Sequence, residues 1–155
     1  MEGTPGNQRW RVRAAREDDF ERWRELYRGY ADFYRVPQPE ESARLVWSWI
    51  HDPRHEFGCL LVEDGQQIAG LAHFRPFARP LSGGTGCYLD DLFVDPDLRG
   101  AGAAPALLTE LRRLARGKGW NVVRWITADD NHRAMATYDR YAERTRWVTY
   151  DMSAE

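Results

Sequence analysis

The chain has 155 residues, of which 43% are hydrophobic and 13% aromatic, a composition typical of one packed domain rather than a disordered chain. Its 22 basic and 24 acidic residues leave a net charge of −2, which argues against nucleic acid as a partner because phosphate binding concentrates Lys and Arg. No apolar run or signal-peptide pattern indicates a membrane partner, so we expect a cytoplasmic protein. Cys59 and Cys87 lack zinc-ligand spacing, so we expect buried thiols and no metal.

The pattern divides the chain into a short terminus and one domain. Residues 1–8 are mostly polar or glycine and predict a flexible N-terminus. Residues 9–152 carry periodic apolar patterns without a linker or an internal repeat, so we expect a single domain there. Alternating apolar residues over 9–14 predict its first strand.

Two helices follow the first strand. An aromatic stripe at spacings of three and four predicts one face of a helix that begins near Asp18 or Asp19; it comprises Phe20, Trp23, Tyr27, Tyr30 and Tyr34. Pro37 ends this helix, and Pro39 with the two glutamates after it predicts the first turn of a second helix that runs to about Ile50.

A meander of three strands comes next. Asp64-Gly65 between two apolar runs is a strong hairpin signal and predicts strands at 57–63 and 67–77. A loop rich in Gly, Pro and Ser at 78–86 then returns the chain to a third strand at 87–94.

The remaining residues predict two helices and two strands. An apolar stripe predicts a helix that ends at Gly117 and Gly119; the stripe is Leu107, Leu108, Leu111 and Leu114. A strand at 121–127, a helix at 131–143 and a last strand at 146–151 complete the order β-α-α-β-β-β-α-β-α-β. This order predicts an α/β (α+β) fold.

The segment LDDLFVDPDLRGAGAAPALL, residues 89–108, leads from a strand through a glycine-containing loop into a helix, which is a ready anion site. A Walker loop is excluded because Ala104-Pro105-Ala106 stands where Gly-Lys-Ser/Thr is required. A dinucleotide loop is disfavoured because Pro105 replaces the third small residue and the strand follows a hairpin meander. The remaining interpretation is a loop that binds the pyrophosphate of an acyl-coenzyme A.

Two motifs carry a resemblance to a known family. Arg99-Gly-Ala-Gly102-Ala-Ala104, preceded by Leu-x-x-Leu-x-Val-x-Pro, and Asn131-x-x-Ala134-x-x-x-Tyr138 closely resemble the two signatures of the GNAT superfamily of acyl-CoA-dependent N-acetyltransferases. The resemblance implies a GNAT-type domain with a mixed, mostly antiparallel central sheet flanked by four helices, and acetyl-CoA as co-substrate. Arg146-Trp147 stands near the place of the family's Gly-Phe, so we expect a shifted C-terminal strand.

The resemblance also assigns roles to the paired aspartates. The spermidine/spermine acetyltransferase branch carries Glu-Asp before the same Phe-Val, so Asp90 matches that branch's acidic base and Asp91 the aspartate beside it. Neighbours on a strand point to opposite faces, so only one faces the reacting centre unless a bulge turns both. Otherwise one or both carboxylates face solvent or pair with an arginine.

The resemblance implies a cofactor site as well. The backbone amides of Leu92, Phe93 and Val94 are expected at the thioester, and the pyrophosphate loop comprises Arg99, Gly100, Ala101, Gly102, Ala103 and Ala104. Tyr138 is the expected acid for the departing thiolate, with Tyr141 on an adjoining helical face. Asn131 either contacts the pantetheine or adenylate arm or only caps its helix.

The expected acceptor is the primary amine of a small molecule, polyamine-like, diamine-like or amino-acid-like. In this superfamily the two N-terminal helices form a wall of the acceptor cleft, which would place Tyr27, Tyr30 and Tyr34 against a cationic amine. A protein or peptide acetyltransferase and a non-catalytic acyl-CoA-binding module remain alternatives. A homodimer is a further expectation. His73 is expected to be a core histidine, with a place in the acceptor cleft as the alternative.

Overall fold

The computed structural model describes residues 9–155, and the predicted flexible terminus 1–8 lies outside them. The strands and helices, in chain order, are β1 (Arg11–Ala14), α1 (Phe20–Phe33), α2 (Glu40–His51), β2 (Gly58–Glu63), β3 (Ile68–Arg79), β4 (Gly84–Val94), α3 (Ala103–Gly117), β5 (Val123–Arg124) and α4 (His132–Tyr138). Within the described part of the chain, no helix is both long and apolar enough to cross a membrane.

The five strands form one sheet in the order β1-β2-β3-β4-β5. The first four pair antiparallel, and β4 pairs with β5 in parallel. This confirms the predicted α/β domain with a mixed, mostly antiparallel sheet and four helices. The predicted hairpin at Asp64-Gly65 joins β2 to β3, and Gly65 has the positive φ of 93° that such a turn requires.

Both faces of the sheet are covered because its central strands are apolar on both sides. On one face α1 and α2 bury a cluster that comprises Trp23, Leu26, Ala43, Cys59, Leu61, Leu71 and Phe93. On the other face α3 packs through Leu107, Leu108 and Leu111 against strand residues that include Leu60, Val62, Ala72, Phe74 and Leu89. The alternation of Leu60, Leu61 and Val62 thus supplies both layers of the core.

Helix α1 lies close to β4 because Gly29 has no side chain at the contact. A Cβ on Gly29 would lie 2.9 Å from Cζ of Phe93, so any larger residue would require the Phe93 ring or the helix to shift. This approach brings the polar ends of Tyr27 and Tyr30 to β4.

The strands β4 and β5 separate soon after they meet. Their pairing covers only Cys87 with Val123 and Tyr88 with Arg124. Beyond Tyr88, β4 continues to Val94 without a strand partner on that side among the described residues. The C-terminal half of β4, Leu89 to Val94, hereafter its lower half, therefore has one open edge.

The C-terminal prediction is wrong. No strand forms at 146–151, and Trp147 and Tyr150 are 87% and 91% exposed. An alternating apolar pattern becomes a strand only where a neighbouring edge accepts its backbone hydrogen bonds, and within residues 9–155 none pairs with this segment. The predicted strand at 121–127 and helix at 131–143 are likewise shortened to β5 and α4.

Candidate active site

A β-bulge in β4 decides where the paired aspartates point. The register places Phe74 opposite Leu89 and His73 opposite Asp91, so Asp90 is the extra residue of the bulge. Of the alternatives left open by the sequence, two are observed: the strand is bulged, and Asp90 pairs with an arginine, Arg75. The two carboxylates are close enough for the charge of Asp91 to raise the pKa of Asp90.

Asp91 lies beneath α1 in a nearly closed environment. Its side chain is 13% exposed, and its Oδ2 accepts from the Tyr27 hydroxyl at 2.9 Å and contacts Nδ1 of His73 at 2.8 Å. The Tyr30 hydroxyl lies close enough to this carboxylate to lower its pKa as well. Burial alone would raise the pKa of Asp91, but these donors outweigh burial and hold the pKa below its usual range.

Asp90 has a different environment. Its carboxylate accepts from Nε of Arg75 at 3.1 Å, and the Arg75 guanidinium lies over the ring of Tyr88. Burial raises the pKa of Asp90, with the charge of Asp91 acting in the same direction, although Arg75 opposes the shift. Adjacent residues of one strand therefore have pKa values moved in opposite directions, an arrangement that separates a proton acceptor from a permanent charge.

Three tyrosines of the α1 region form an aromatic wall beside these carboxylates. The ring centroids of Tyr27 and Tyr30 are 5.8 Å apart, and those of Tyr30 and Tyr34 are 4.9 Å apart. Burial, assisted by the charge of Asp91, raises the pKa values of Tyr27 and Tyr30, so both phenols remain neutral donors. The wall is consistent with the aromatic face expected from the sequence.

The glycine loop has the geometry of an anion site. Gly100 and Gly102 have φ values of 81° and 96°, and no atom lies within 4 Å of a Cβ placed on Gly100. The carbonyl of Gly102 accepts the first bond of α3, which leaves the amides of Ala103 and Ala104 directed at the loop. Trp10 donates its indole N–H to the carbonyl of Ala101 at 2.6 Å and ties the loop to the start of β1.

Arg99 adds positive charge at the same place. Its Nε donates to the carbonyl of Val94 at 3.0 Å, and its guanidinium lies over the rings of Phe33 and Phe93. Burial lowers the pKa of Arg99, and the nearby positive charge of Arg133 lowers it further. An anion between the two guanidiniums would relieve this repulsion, so the loop residues fit a pyrophosphate group.

The open edge of β4 presents backbone amides between the aspartates and the loop. The amide of Asp95 donates to Ala69 of β3, and because strand amides alternate in direction, those of Leu92 and Val94 point away from β3. The amide of Phe93 points toward β3 by the same alternation. The edge therefore offers two amides where the sequence predicted three.

Helix α4 brings the second motif to the same side of the molecule. The ring of Tyr138 packs edge-on against Trp125 at 5.3 Å, and burial raises the pKa of this phenol to about 12. The Asn131 side chain does not cap α4; its Nδ2 donates instead to Thr127 Oγ1 at 3.3 Å. Of the two roles left open for Asn131, capping of the helix by its side chain is thus not observed.

The sequence pattern placed Trp23 on the aromatic face of α1 and His73 in the core. It did not predict the contact of Trp23 with His73, or those of His73 and Arg75 with the aspartates. His73 and Arg75 lie on β3 opposite the bulge, and Trp23 donates to His73 from α1. The hairpin signal predicts that β3 pairs with β4, but a one-residue register shift depends on contacts distant in sequence. Among residues 9–155, no group of three His, Cys, Asp or Glu residues is placed to hold a metal ion.

The opposite pKa shifts predict opposite stability effects. A depressed pKa at Asp91 stabilises the fold above the unfolded-state pKa, and this contribution is lost as pH falls through the folded-state pKa. A raised pKa at Asp90 stabilises only below the unfolded-state pKa, and this contribution is lost as pH rises through the folded-state value. At neutral pH, Asp91→Asn is therefore expected to lower the free energy of unfolding by about 2 kcal/mol, whereas Asp90→Asn is neutral or stabilising.

Urea unfolding from about pH 4 to about pH 8 measures both effects, with the exposed Asp129→Asn as control. The loss from Asp91→Asn should shrink toward acid pH. Equal losses from both substitutions at neutral pH would contradict the assigned environments.

Comparison with known proteins agrees with the motifs. A model of the Acetyltransferase (GNAT) family matches residues 23–142. A D-amino-acid N-acetyltransferase of Saccharomyces cerevisiae is 30% identical over 147 residues, which cover 93% of this chain and 91% of that protein. A thialysine N-epsilon-acetyltransferase of Caenorhabditis elegans is 33% identical over 93 residues, which cover 57% of this chain and 58% of that protein.

Solved structures share the fold. An aminoglycoside N-acetyltransferase in complex with CoA superposes with a TM-score of 0.81 at 17% identity, covering 97% of this chain and 99% of that one. The family match spans both sequence motifs, the bulged strand and the glycine loop. The chain belongs to the GNAT acetyltransferase family and is an acetyl-CoA-dependent acyltransferase.

Proposed function

We propose that this N-acetyltransferase transfers the acetyl group of acetyl-CoA to the primary amine of a small cationic molecule, either a diamine or polyamine or an amino acid. One observation carries the proposal. Two adjacent carboxylates, Asp90 and Asp91, lie beside an aromatic wall, and the pKa of Asp90 is raised whereas the pKa of Asp91 is lowered. A cationic acceptor needs both a fixed negative charge and a group that takes up a proton.

The two carboxylates divide these tasks. Asp91 stays ionised and anchors the positive charge of the acceptor next to Tyr27 and Tyr30, whose ring faces attract cations. An alkylammonium has a pKa of about 10, so the reacting amine must lose a proton before it attacks. Asp90, with its raised pKa, is the better proton acceptor of the pair and serves as the general base.

Acetyl-CoA lies along the lower half of β4 and the start of α3. Arg99 and the backbone of Gly100, Ala101, Gly102, Ala103 and Ala104 hold its pyrophosphate, and Asn131 contacts the pantetheine arm. The thioester supplies an activated acyl carbon for direct attack in a ternary complex. The outward amides of Leu92 and Val94 donate to the carbonyl oxygen as it gains negative charge.

Tyr138 completes the proton balance. The ammonium proton that Asp90 removes before the attack leaves to solvent. As the new C–N bond forms and the C–S bond breaks, the second proton of the nitrogen passes to Asp90 and the thiolate receives one from Tyr138. Solvent then returns the proton from Asp90 to the Tyr138 phenolate. A phenol with a pKa of about 12 is fully protonated at neutral pH and can donate. Tyr34, a member of the aromatic wall, lies close enough to Tyr138 to raise the pKa of this acid further, beyond the effect of burial.

The relatives support an amine on a small molecule. By their names, one acts on D-amino acids and another on the ε-amine of thialysine, which are both compact molecules with charged amines. Amino acids and short diamines both carry a reacting amine near a second polar or charged group. Asp90 and Asp91 together can contact such a pair of groups.

We also propose a cytoplasmic location. Cys59 and Cys87 are both free and buried, and free thiols are typical of reducing compartments. Burial raises the pKa of Cys87 to about 12, so this side chain remains a thiol at neutral pH.

A homodimer is proposed from the C-terminal segment, residues 143–155. Every residue of this segment is exposed, including Trp147, Val148, Tyr150 and Met152, and contiguous apolar exposure of this kind marks an interaction surface. Four such side chains from each of two copies would bury on the order of 1,200 Å², enough for a specific interface.

The surface that would receive this segment lies beside β5. A groove of about 460 Å³ is lined there by Trp120, Val122, Val123, Trp125 and Tyr141. Ile126, in the same stretch, is 63% exposed. The segment directly follows Tyr141 and Ala142 of the groove lining, and all its residues are exposed, so we propose that it adds as a strand to the β5 edge of a second copy.

Removing the Tyr138 hydroxyl tests the assigned acid. Tyr138→Phe should lower kcat by about 10- to 100-fold with little change in KM for the amine, because the lost proton matters only when the thiolate leaves. Tyr141→Phe is the matched control, three residues along the same segment. Equal rates in Tyr138→Phe and the wild type would refute the role of this phenol.

Thiol release from acetyl-CoA over an acceptor panel tests the proposed function. We expect turnover with short diamines and with D- or L-lysine, and a loss of about 100-fold or more in kcat/KM for these acceptors in Asp90→Asn. Turnover confined to peptide N-termini or to lysines of proteins would instead show a peptide acetyltransferase.

Sedimentation analysis tests the dimer. The wild type should sediment with twice the mass of one chain, and a Trp147→Asp/Val148→Asp double variant should dissociate because a charge is costly in an apolar interface. Leu81→Asp, at a fully exposed apolar site on the β3–β4 turn, is the control. A monomeric wild type at micromolar concentration, or equal dissociation of the control, would exclude this interface.

A further inference from the structure

We propose that Trp23 and His73 are positioning residues for the acceptor. Trp23 fixes one tautomer of His73, and His73 then holds the Asp91 carboxylate in the orientation that anchors the acceptor's positive charge. The role given to Asp91 rests on the proposed function, whereas the tautomer of His73 does not.

The chain of hydrogen bonds begins in the core. Trp23 and His73 are both fully buried, and Nε1 of Trp23 lies 2.9 Å from Nε2 of His73. An indole nitrogen only donates, so Nε2 of the histidine must accept and carry no proton. The proton of the neutral ring is then on Nδ1, which donates to Asp91 Oδ2 across 2.8 Å.

This arrangement leaves acceptor positions of Asp91 free. An ionised carboxylate has about four acceptor positions, and His73 and Tyr27 occupy two of them, both on Oδ2. The remaining positions are available to a ligand in the cleft. With its orientation already fixed, the carboxylate loses little freedom when a cation binds.

The groups that face Asp91 come from four elements. They are Tyr27 and Tyr30 of α1, the thiol of Cys59 on β2, His73 of β3 and the neighbouring Asp90 of β4. The nearby guanidinium of Arg75 pairs with Asp90 rather than with Asp91. An imidazolium at His73 would therefore be the one positive protein group in direct contact with Asp91 among the described residues, and it would compete with a cationic acceptor.

Trp23 protects against that outcome. A proton on Nε2 of His73 would point directly at the indole N–H, so two donors would face each other in a buried site. The aromatic packing of Trp23 against Tyr27 and Trp47 holds the indole in place. Trp23 thus acts on the acceptor site through His73, without contacting the acceptor.

Nitrogen NMR of the His73 ring tests the tautomer directly and requires no turnover. In the wild type at neutral pH we expect a protonated Nδ1 and an unprotonated Nε2. In Trp23→Phe, which keeps an aromatic ring but removes the donor, both tautomers of the ring should become populated. A wild-type ring with its proton on Nε2, or an imidazolium at neutral pH, would overturn the proposal.

Two substitutions of His73 separate positioning from packing. His73→Asn places an amide N–H near the position of Nδ1–H, and His73→Leu fills the space without a donor. For 1,4-diaminobutane, Asn should keep the KM within about threefold, whereas Leu should raise the KM about tenfold or more with the KM for acetyl-CoA unchanged. A purely structural histidine would instead alter both KM values in both variants.

Calorimetric titration with 1,4-diaminobutane measures binding of the diamine directly, so it tests the anchoring role even if the diamine is not acetylated. Binding by the wild type that weakens about tenfold in His73→Leu, but not in His73→Asn, supports the anchor even where the acetyl transfer fails. The expected tautomer together with no diamine binding to the wild type would reject the anchoring role.

Discussion

One extra residue in β4 is the constraint on which the whole candidate site depends. In a regular strand Asp90 and Asp91 would lie on opposite faces of the sheet, one beneath α1 and the other beneath α3. The bulge instead keeps Asp91 opposite His73 and under α1, and it leaves Asp90 beside Arg75 at the edge of the same region. The two environments that separate their pKa values follow from that single register shift.

The same strand carries the proposed acceptor and cofactor sites in succession. Along β4 and the loop after it, the chain presents the paired carboxylates, then the outward amides of Leu92 and Val94, then the glycine loop that begins at Arg99. The early separation of β5 opens the edge where these groups lie. Trp10 lies just before β1, at the opposite edge of the sheet from β5, and donates to the carbonyl of Ala101 in this loop. The loop is therefore tied to the start of β1 as well as to β4 and α3.

Local patterns in the sequence predicted most of the fold. Apolar periodicity predicted α1, α2 and α3, Asp64-Gly65 predicted the hairpin, and the glycine loop with the Asn131–Tyr138 helix indicated the family. What failed was nonlocal. The apolar alternation at 146–151 could not reveal that no strand within residues 9–155 pairs with this segment. The pairing of β3 with β4 likewise could not reveal the bulge. His73 was therefore expected to be an ordinary core residue, although its buried ring contacts Asp91.

The central claim is that Asp91 anchors the acceptor and Asp90 receives its proton. A crystal structure with coenzyme A and 1,4-diaminobutane bound tests it most directly. The account predicts one diamine nitrogen within hydrogen-bonding distance of the Asp91 carboxylate and the other between Asp90 and the sulfur of coenzyme A. A diamine bound away from both carboxylates, or one whose reacting nitrogen contacts Asp91 while Asp90 remains paired only with Arg75, would contradict it.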